Sequence, residues 1–162
     1  MQEKVYNSII IKRVKDVSFF VNEGLYIPDP TKGIKIEMQN LIGVNKVKKL
    51  VEFRLRIFLH YDGSSDQFQD LLADIQVQNV FQLNELDEYL TETGILFPNE
   101  ILIEMINISI NHGRALLSKN LAGTVFQEIM LPINNPLDVA KHFYPTMFGE
   151  TTKEAAFKEI ET

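Results

Sequence analysis

Three histidines are the residues of this chain best suited to acid–base or metal chemistry: His60, His112 and His142. Each stands alone, because none has a neighbour at the short spacing of metal ligands. Asp70 and Asp74 share one face of an expected strand, but four residues of strand separate them by roughly 13 Å, too far for a glycosidase carboxylate pair. The phosphate-loop, dinucleotide, nucleophile-elbow and zinc-protease motifs are all absent from the sequence. We therefore expect no enzymatic activity, cofactor or metal, and an active site assembled around His112 from distant segments is the open alternative.

Composition and charge narrow the class of protein further. The 162 residues, of which 45% are hydrophobic and 23% charged, are typical of one globular domain. A net charge of -6 argues against binding to nucleic acid, which needs a basic surface. No lysine or arginine occurs between Arg56 and Arg114, where ten acids fall. That acidic region is either a solvated face or a docking face for a basic partner.

The sequence also bears on where the protein acts. Its first residues are too polar for a signal peptide, and no segment approaches the roughly 20 apolar residues that a membrane helix needs. The absence of cysteine excludes disulfides and suits a reducing compartment. We expect a cytoplasmic protein without membrane insertion.

The first half of the chain is predicted to form β-strands. Residues 5–21 alternate loosely, with an expected interruption near Lys15 and Asp16. Residues 34–40 alternate between apolar and polar side chains, and residues 47–61 repeat the pattern at greater length, which predicts half-buried strands. Residues 67–81 return after a turn, with a bulge or strand end expected at 79–81 because the alternation breaks there. Strands with one polar face favour an antiparallel sheet.

The second half is predicted to be helical. A short helix is expected over residues 84–93 and a long one from its N-cap, Asn99, to about Lys119. The long helix is apolar nearly all round, so we expect a second subunit or an apolar ligand to cover what one sheet cannot. A last short helix is expected at 137–144. The fold class is therefore α+β: a four-stranded antiparallel sheet packed with a long C-terminal-half helix and short flanking helices.

Several segments, in the same order along the chain, resemble the SecB family of export chaperones. Residues 15–19 (Lys-Asp-Val-Ser-Phe) are similar to the family's motif in the first strand. Residues 52–59 and 73–76 resemble its long central hairpin, which ends here in Val80 and Phe81.

The most specific match is at residues 94–98, Gly-Ile-Leu-Phe-Pro, which in the family precede the long helix. Residues 131–134 are similar to the segment before the final helix. The resemblance covers residues 5–145, and we take residues 1–145 as a SecB-like chaperone domain, with 146–162 as an acidic tail that is mobile or locally helical. The insertion at 114–128 and the tail depart from the family pattern.

The resemblance implies an ATP-independent holdase, a homotetramer built as a dimer of dimers, which binds unfolded or precursor polypeptides in apolar grooves and presents preproteins to the export motor SecA. It places SecA docking on the outer sheet face at Asp16 and Asp74, with Leu72 between them. The departures leave an alternative open: a dedicated SecB-like chaperone or binding subunit for a single partner, such as the antitoxin of a toxin–antitoxin system.

Aromatic, aliphatic and methionine side chains suit a surface that binds many sequences, because they can repack. On this basis we expect a client-binding groove among nine residues, and ordinary core packing is the rival explanation for each of them. The candidates are Phe19, Phe20, Tyr26, Phe81, Leu86, Tyr89, Leu90, Phe97 and Met105.

Overall fold

The computed structural model describes residues 9–29, 31–62, 70–92 and 94–149, together with the backbone of Lys158–Glu159. Four long strands form an antiparallel sheet, and their order in space is β1-β4-β3-β2. A two-residue strand, β5, pairs in parallel with the end of β2. The strands are β1 (Ile9–Val21), β2 (Ile34–Asn45), β3 (Leu50–Tyr61), β4 (Leu71–Leu83) and β5 (Lys158–Glu159).

The strict alternation in β3 and β4 separates the two faces of the sheet as predicted. Phe53, Leu55 and Ile57 are fully buried on the face that contacts the long helix, which we call the helix face. The opposite, outer face carries polar residues such as Arg54 and Arg56. Because side chains alternate along a strand, this pattern determines which residues can meet the helix.

The expected break in β4 is wrong. Asn79 pairs with Phe53 and Phe81 with Val51, so the register continues unchanged to the end of the strand. The pattern looked broken because Asn79 is a polar residue at a buried position on the helix face. It has a polar partner there, His112, which removes the need for a bulge.

β1 is one continuous strand rather than two pieces. Its register with β4 shifts between Ile11 and Arg13 and again between Asp16 and Ser18. Such bulges insert an extra residue and change the face on which the following side chains lie. The interruption expected near Lys15 and Asp16 is therefore a bulge at Val17.

The predicted N-cap of the long helix is wrong by one residue: in α1 (Asn99–Leu121) Pro98 occupies the N-cap position, Asn99 is the first helical residue, and the helix continues through Gly113. A Cβ atom on Gly113 would lie 2.8 Å from Leu55 Cδ2 and 3.0 Å from Ile57 Cδ1, so a glycine is needed for this close approach to the sheet. The segment expected as a helix at 84–93 is instead a 3₁₀ turn, Leu86–Tyr89, followed by a tight reversal in which Leu96 N–H donates to the Tyr89 carbonyl.

The apolar surface of α1 is covered largely from within the chain. The second helix, α2 (Pro136–Phe143), begins after an Asn135 side chain that caps Leu137 N–H, and its Val139 and Ala140 join the core. Asn40 Nδ2 donates to Tyr144 Oη at 2.7 Å and fixes the end of α2 to β2. Every apolar side chain of α1 larger than alanine is at least partly buried within the single chain. A second subunit or an apolar ligand is therefore not needed to cover most of the helix.

Candidate polypeptide-binding surface

Four of the nine predicted client-binding residues belong to the hydrophobic core. Phe81, Leu86, Phe97 and Met105 are all buried among the side chains of the sheet and α1. They stabilise the fold, and in this conformation they offer no surface to a polypeptide. Residue type alone could not separate them from the exposed candidates.

Phe19 and Phe20 are exposed on β1, an edge strand of the sheet. Phe20 is 48% exposed on the outer face opposite Asp74, and Phe19 lies opposite Ile75 on the helix face. The other exposed apolar residues of this strand are not among the nine candidates, although the weak alternation of β1 is a signal that neither face is fully buried. Those residues are Ile10, Ile11, Val14 and Val17. We call these six side chains the β1 apolar edge.

Tyr26 lies in the loop between β1 and β2, which is held by a single tyrosine hydroxyl. The Ile27 N–H donates to Tyr61 Oη at 2.6 Å, and Tyr61 Oη donates to the Leu25 carbonyl at 3.2 Å. This arrangement leaves Leu25 and Ile27 exposed, and Ile27 is 58% exposed. An ordered backbone therefore presents apolar side chains to solvent.

The same loop is attached to the segment that follows α1. The ring of Tyr26 packs edge-on against Phe126, with centroids 5.3 Å apart, and Val125 N–H donates to Glu23 Oε2 at 3.0 Å. Val125 is itself half exposed. We define Leu25, Tyr26, Ile27 and Val125 as the loop patch. Exposed apolar groups gathered on a stable support are characteristic of binding sites.

The remaining two candidates lie elsewhere, beside the start of α1. The ring of Tyr89 packs against Phe97 with centroids 6.2 Å apart, and its hydroxyl donates to Glu85 Oε2 at 3.1 Å. Burial raises the pKa of Tyr89, and the bond to Glu85 raises it further. Leu90 is half-buried and bridges to Ile95. The predicted groove is thus divided between core and at least two separate surfaces.

The three predicted docking residues are not brought together. Asp16 is on the helix face opposite Val77, where Asn120 Nδ2 lies 3.5 Å from its Oδ2. Asp74 is on the outer face, and Leu72 is fully buried. The two carboxylates therefore cannot belong to one flat acidic face.

Asp74 is also neutralised by a close cation. Arg56 Nε lies 3.1 and 3.0 Å from the two carboxylate oxygens of Asp74, and Arg56 Nη2 lies 2.6 Å from Oδ2. This hydrogen bonding raises the pKa of Arg56. The guanidinium also stacks over Phe58 at 5.2 Å, which fixes its plane.

Two histidines have structural partners. His60 Nε2 lies 3.2 Å from Glu37 Oε1, and Lys35 Nζ lies 2.6 Å from the same oxygen and is the main reason that the pKa of Glu37 is lowered. His112 Nδ1 lies 2.6 Å from Asn79 Oδ1, and burial lowers the pKa of His112.

Among the residues that the structure describes, no group of three His, Cys, Asp or Glu side chains is placed to hold a metal ion. None of the described helices is long and apolar enough to cross a membrane.

Comparison with known proteins supports the fold and leaves the family open. No protein-family model matches the chain, and no curated protein matches its sequence. A solved structure, the Mycobacterium tuberculosis Rv1957 SecB-like chaperone in complex with a ChAD peptide from the Rv1956 HigA1 antitoxin, is similar in fold with a TM-score of 0.52. The sequence identity is 12%, and the match covers 78% of this chain and 91% of the other. The chain therefore has a SecB-like α+β fold.

Proposed function

We propose that this protein is an ATP-independent holdase chaperone that binds unfolded or extended polypeptides. The observation that carries the proposal is the set of exposed apolar side chains on ordered backbone, in the β1 apolar edge and the loop patch. A soluble domain normally buries such groups, and contiguous ones mark binding surfaces. The SecB-like fold adds support, because the similar solved protein is a chaperone bound to a peptide.

The proposal includes how such a protein holds its client. The backbone of β1, which among the described residues pairs only with β4, pairs along its other edge with an extended segment irrespective of sequence, while Phe19 and Phe20 supply apolar contacts. The loop patch supplies a second set of anchors. Burying one anchor such as Ile27 contributes about 1.5 kcal/mol, roughly tenfold in affinity. No nucleotide is needed for any of these contacts.

Assembly, location and delivery belong to the same proposal. We place the protein in the cytoplasm as a homotetramer, a dimer of dimers, that presents precursor polypeptides for export. SecA is the proposed receiver, although Asp16, Leu72 and Asp74 do not form one docking face in the single chain. A measured mass of about four times 18.7 kDa would support the tetramer.

A second candidate function is a dedicated chaperone for one partner, such as an antitoxin. The specific observation in its favour is that the similar SecB-like protein is bound to an antitoxin peptide. A broad mixture of clients that co-purifies with the protein from its native cell would count against this candidate. A single stoichiometric partner would favour it over the general holdase.

The test of the holdase is suppression of aggregation. A denatured model client is diluted into buffer with the protein, and light scattering is followed over time. Ile27→Ser should weaken suppression by about tenfold in midpoint concentration, because it removes one anchor of the loop patch. Val47→Ser is the matched control, since Val47 is 94% exposed in the turn at the opposite end of the sheet. Aggregation that proceeds unchanged with the wild-type protein at equal molarity would refute the holdase.

A further inference from the structure

A cleft of about 430 Å³ lies on the outer sheet face beside the β2–β3 turn. Three basic side chains, Lys12, Arg13 and Lys48, line it together with Glu52, and its apolar lining includes Leu50 and Val80. We call this the basic cleft. It is distinct from the β1 apolar edge and the loop patch, and neither the SecB-like resemblance nor the proposed holdase assigns it a role.

A bulge in β1 explains why two consecutive basic residues line the same cleft. Regular alternation would direct Lys12 and Arg13 to opposite faces of the sheet. The register of β1 with β4 shifts between Ile11 and Arg13, which leaves Lys12 as the extra, unpaired residue. Arg13 then pairs with Val80, which pairs with Glu52, so one row across three strands forms part of the cleft.

The cations of the basic cleft are not neutralised within the described part of the chain. Lys12, Arg13 and Lys48 have no ion pair there, whereas the carboxylate of Glu52 contacts Arg54. By contrast, the neighbouring Lys49 is paired, with Nζ 2.6 Å from Asp87 Oδ2. The cleft is thus a local positive site on a protein whose net charge is -6. Unpaired cations in a concave site attract carboxylates over several ångströms and select for them.

The lining of the cleft favours a polypeptide over a nucleic acid. Nucleic acids are bound by extended basic surfaces that contact many phosphates, and an acidic residue inside the site opposes them. Here Glu52 lies among the three cations, and Leu50 and Val80 provide apolar surface. An acidic segment with an apolar side chain matches both features. We propose that the basic cleft docks an acidic, partly apolar segment of a partner polypeptide, independently of client holding.

The chain itself contains a rival occupant that the test must separate. In β5, Lys158 pairs with Gly43 and Glu159 with Val44, and Asn45, the next residue of β2, lines the cleft. Because the pairing is parallel, β5 runs in the same direction as β2, towards the lysine-rich turn. The backbone of Lys158–Glu159 is therefore close to the site.

The experiment measures binding of a fluorescent peptide of alternating glutamate and leucine to the full-length protein by anisotropy. We expect Lys48→Glu and Arg13→Glu each to weaken binding by about tenfold or more, and raised salt to weaken wild-type binding. Lys141→Glu on α2 makes the same change in charge at an exposed site away from the cleft, and should alter affinity by less than about twofold. Circular dichroism of every variant, including the neutral variants Lys48→Gln and Arg13→Gln, tests whether loss of folding is the cause of weaker peptide binding.

Three outcomes would overturn the proposal. The first is equal loss of binding in Lys48→Glu and Lys141→Glu, which indicates an unspecific charge effect. The second is peptide binding that appears only when Glu159 and Glu161 are both changed to glutamine, which makes the chain's own C-terminal segment the occupant. The third is tighter, Lys48-dependent binding of a short single-stranded oligonucleotide. The assay measures how far binding depends on Lys48 and Arg13, which belong to neither the β1 apolar edge nor the loop patch, so a failed holdase assay leaves its result unaffected.

Discussion

The Nδ1 atom of His112 lies 2.6 Å from Oδ1 of Asn79, and this contact joins the middle of α1 to the helix face of β4. Asn79 is fully buried, and its Nδ2 has no partner within the described residues. A histidine that carries its proton on Nδ1 donates to Oδ1 and satisfies one end of the buried amide. A pair of polar residues thus fixes where the helix sits along the sheet.

This contact predicts a pH dependence of stability. Burial lowers the pKa of His112 below its ordinary value of 6.5, so the unfolded state binds the proton more readily than the folded state. The free energy of unfolding should therefore fall as the pH drops through and below that ordinary value. Urea denaturation of His112→Gln over the same pH range should show a shallower fall. The exposed His142→Gln serves as the control, and an identical change in both variants would contradict the assignment.

Gly113 predicts a steric effect on stability. A valine there would place its Cβ within 3.0 Å of both Leu55 and Ile57 side chains and force α1 away from the sheet. We expect Gly113→Val to lower the free energy of unfolding by about 2–3 kcal/mol, the usual cost of overpacking. Ala115→Val, on the exposed face of the same helix, should cost less than about 1 kcal/mol because only helix propensity changes. Equal effects in thermal melts would show that the close approach is unimportant.

The Arg56–Asp74 pair predicts a coupling energy on the outer face. Both side chains are partly buried, and several hydrogen bonds join them. Arg56→Met and Asp74→Asn should each destabilise the protein, and their double-mutant cycle should give a coupling of about 1 kcal/mol. Additive effects would mean that solvent screens the pair completely. In that case Asp74 would be available to a basic partner.

Tyr61 predicts a link between loop order and client binding. Tyr61→Phe removes the hydroxyl that accepts from Ile27 N–H and donates to the Leu25 carbonyl. Hydrogen exchange at Ile27 should become faster, and suppression of aggregation should weaken several-fold, because the loop patch must then be ordered on binding. Tyr144→Phe also removes a hydroxyl that forms a hydrogen bond, but at the contact between α2 and β2 and not in the loop patch. It should leave client binding unchanged. Equal weakening of client binding in the two variants would show that the order of the loop patch does not determine client binding.

The sequence predicted the sheet and the long helix because both follow from periodicity. Residues 51–57 alternate so strictly that the assignment of Phe53 and Leu55 to the buried face needed no tertiary information. The docking residues failed to assemble for a reason that periodicity cannot show. The bulge at Val17 places Asp16 on the face opposite to Phe20, although four residues of regular strand would place them on the same face.

Which of the candidate client-binding residues are exposed could not be predicted, for a different reason. Phe81 and Phe97 are as apolar as Phe19 and Phe20, and composition gives no means of ranking their exposure. Ile27 and Val125 were missed because they lie in loops without a repeating pattern. Their positions depend on long-range contacts, from Tyr61 to Ile27 and from Glu23 to Val125.

The two long edges of the sheet are unequal, which limits how copies of this chain can associate. The carboxyl end of β2 is paired with β5 of the same chain, whereas β1 pairs only with β4 among the described residues. Two copies that joined through their β1 edges by a two-fold axis would use up both of those edges. A third copy could then add only at a β2 edge, and β5 already covers part of that edge. Pairing of β5 with β2 therefore opposes the growth of a fibre by strand addition.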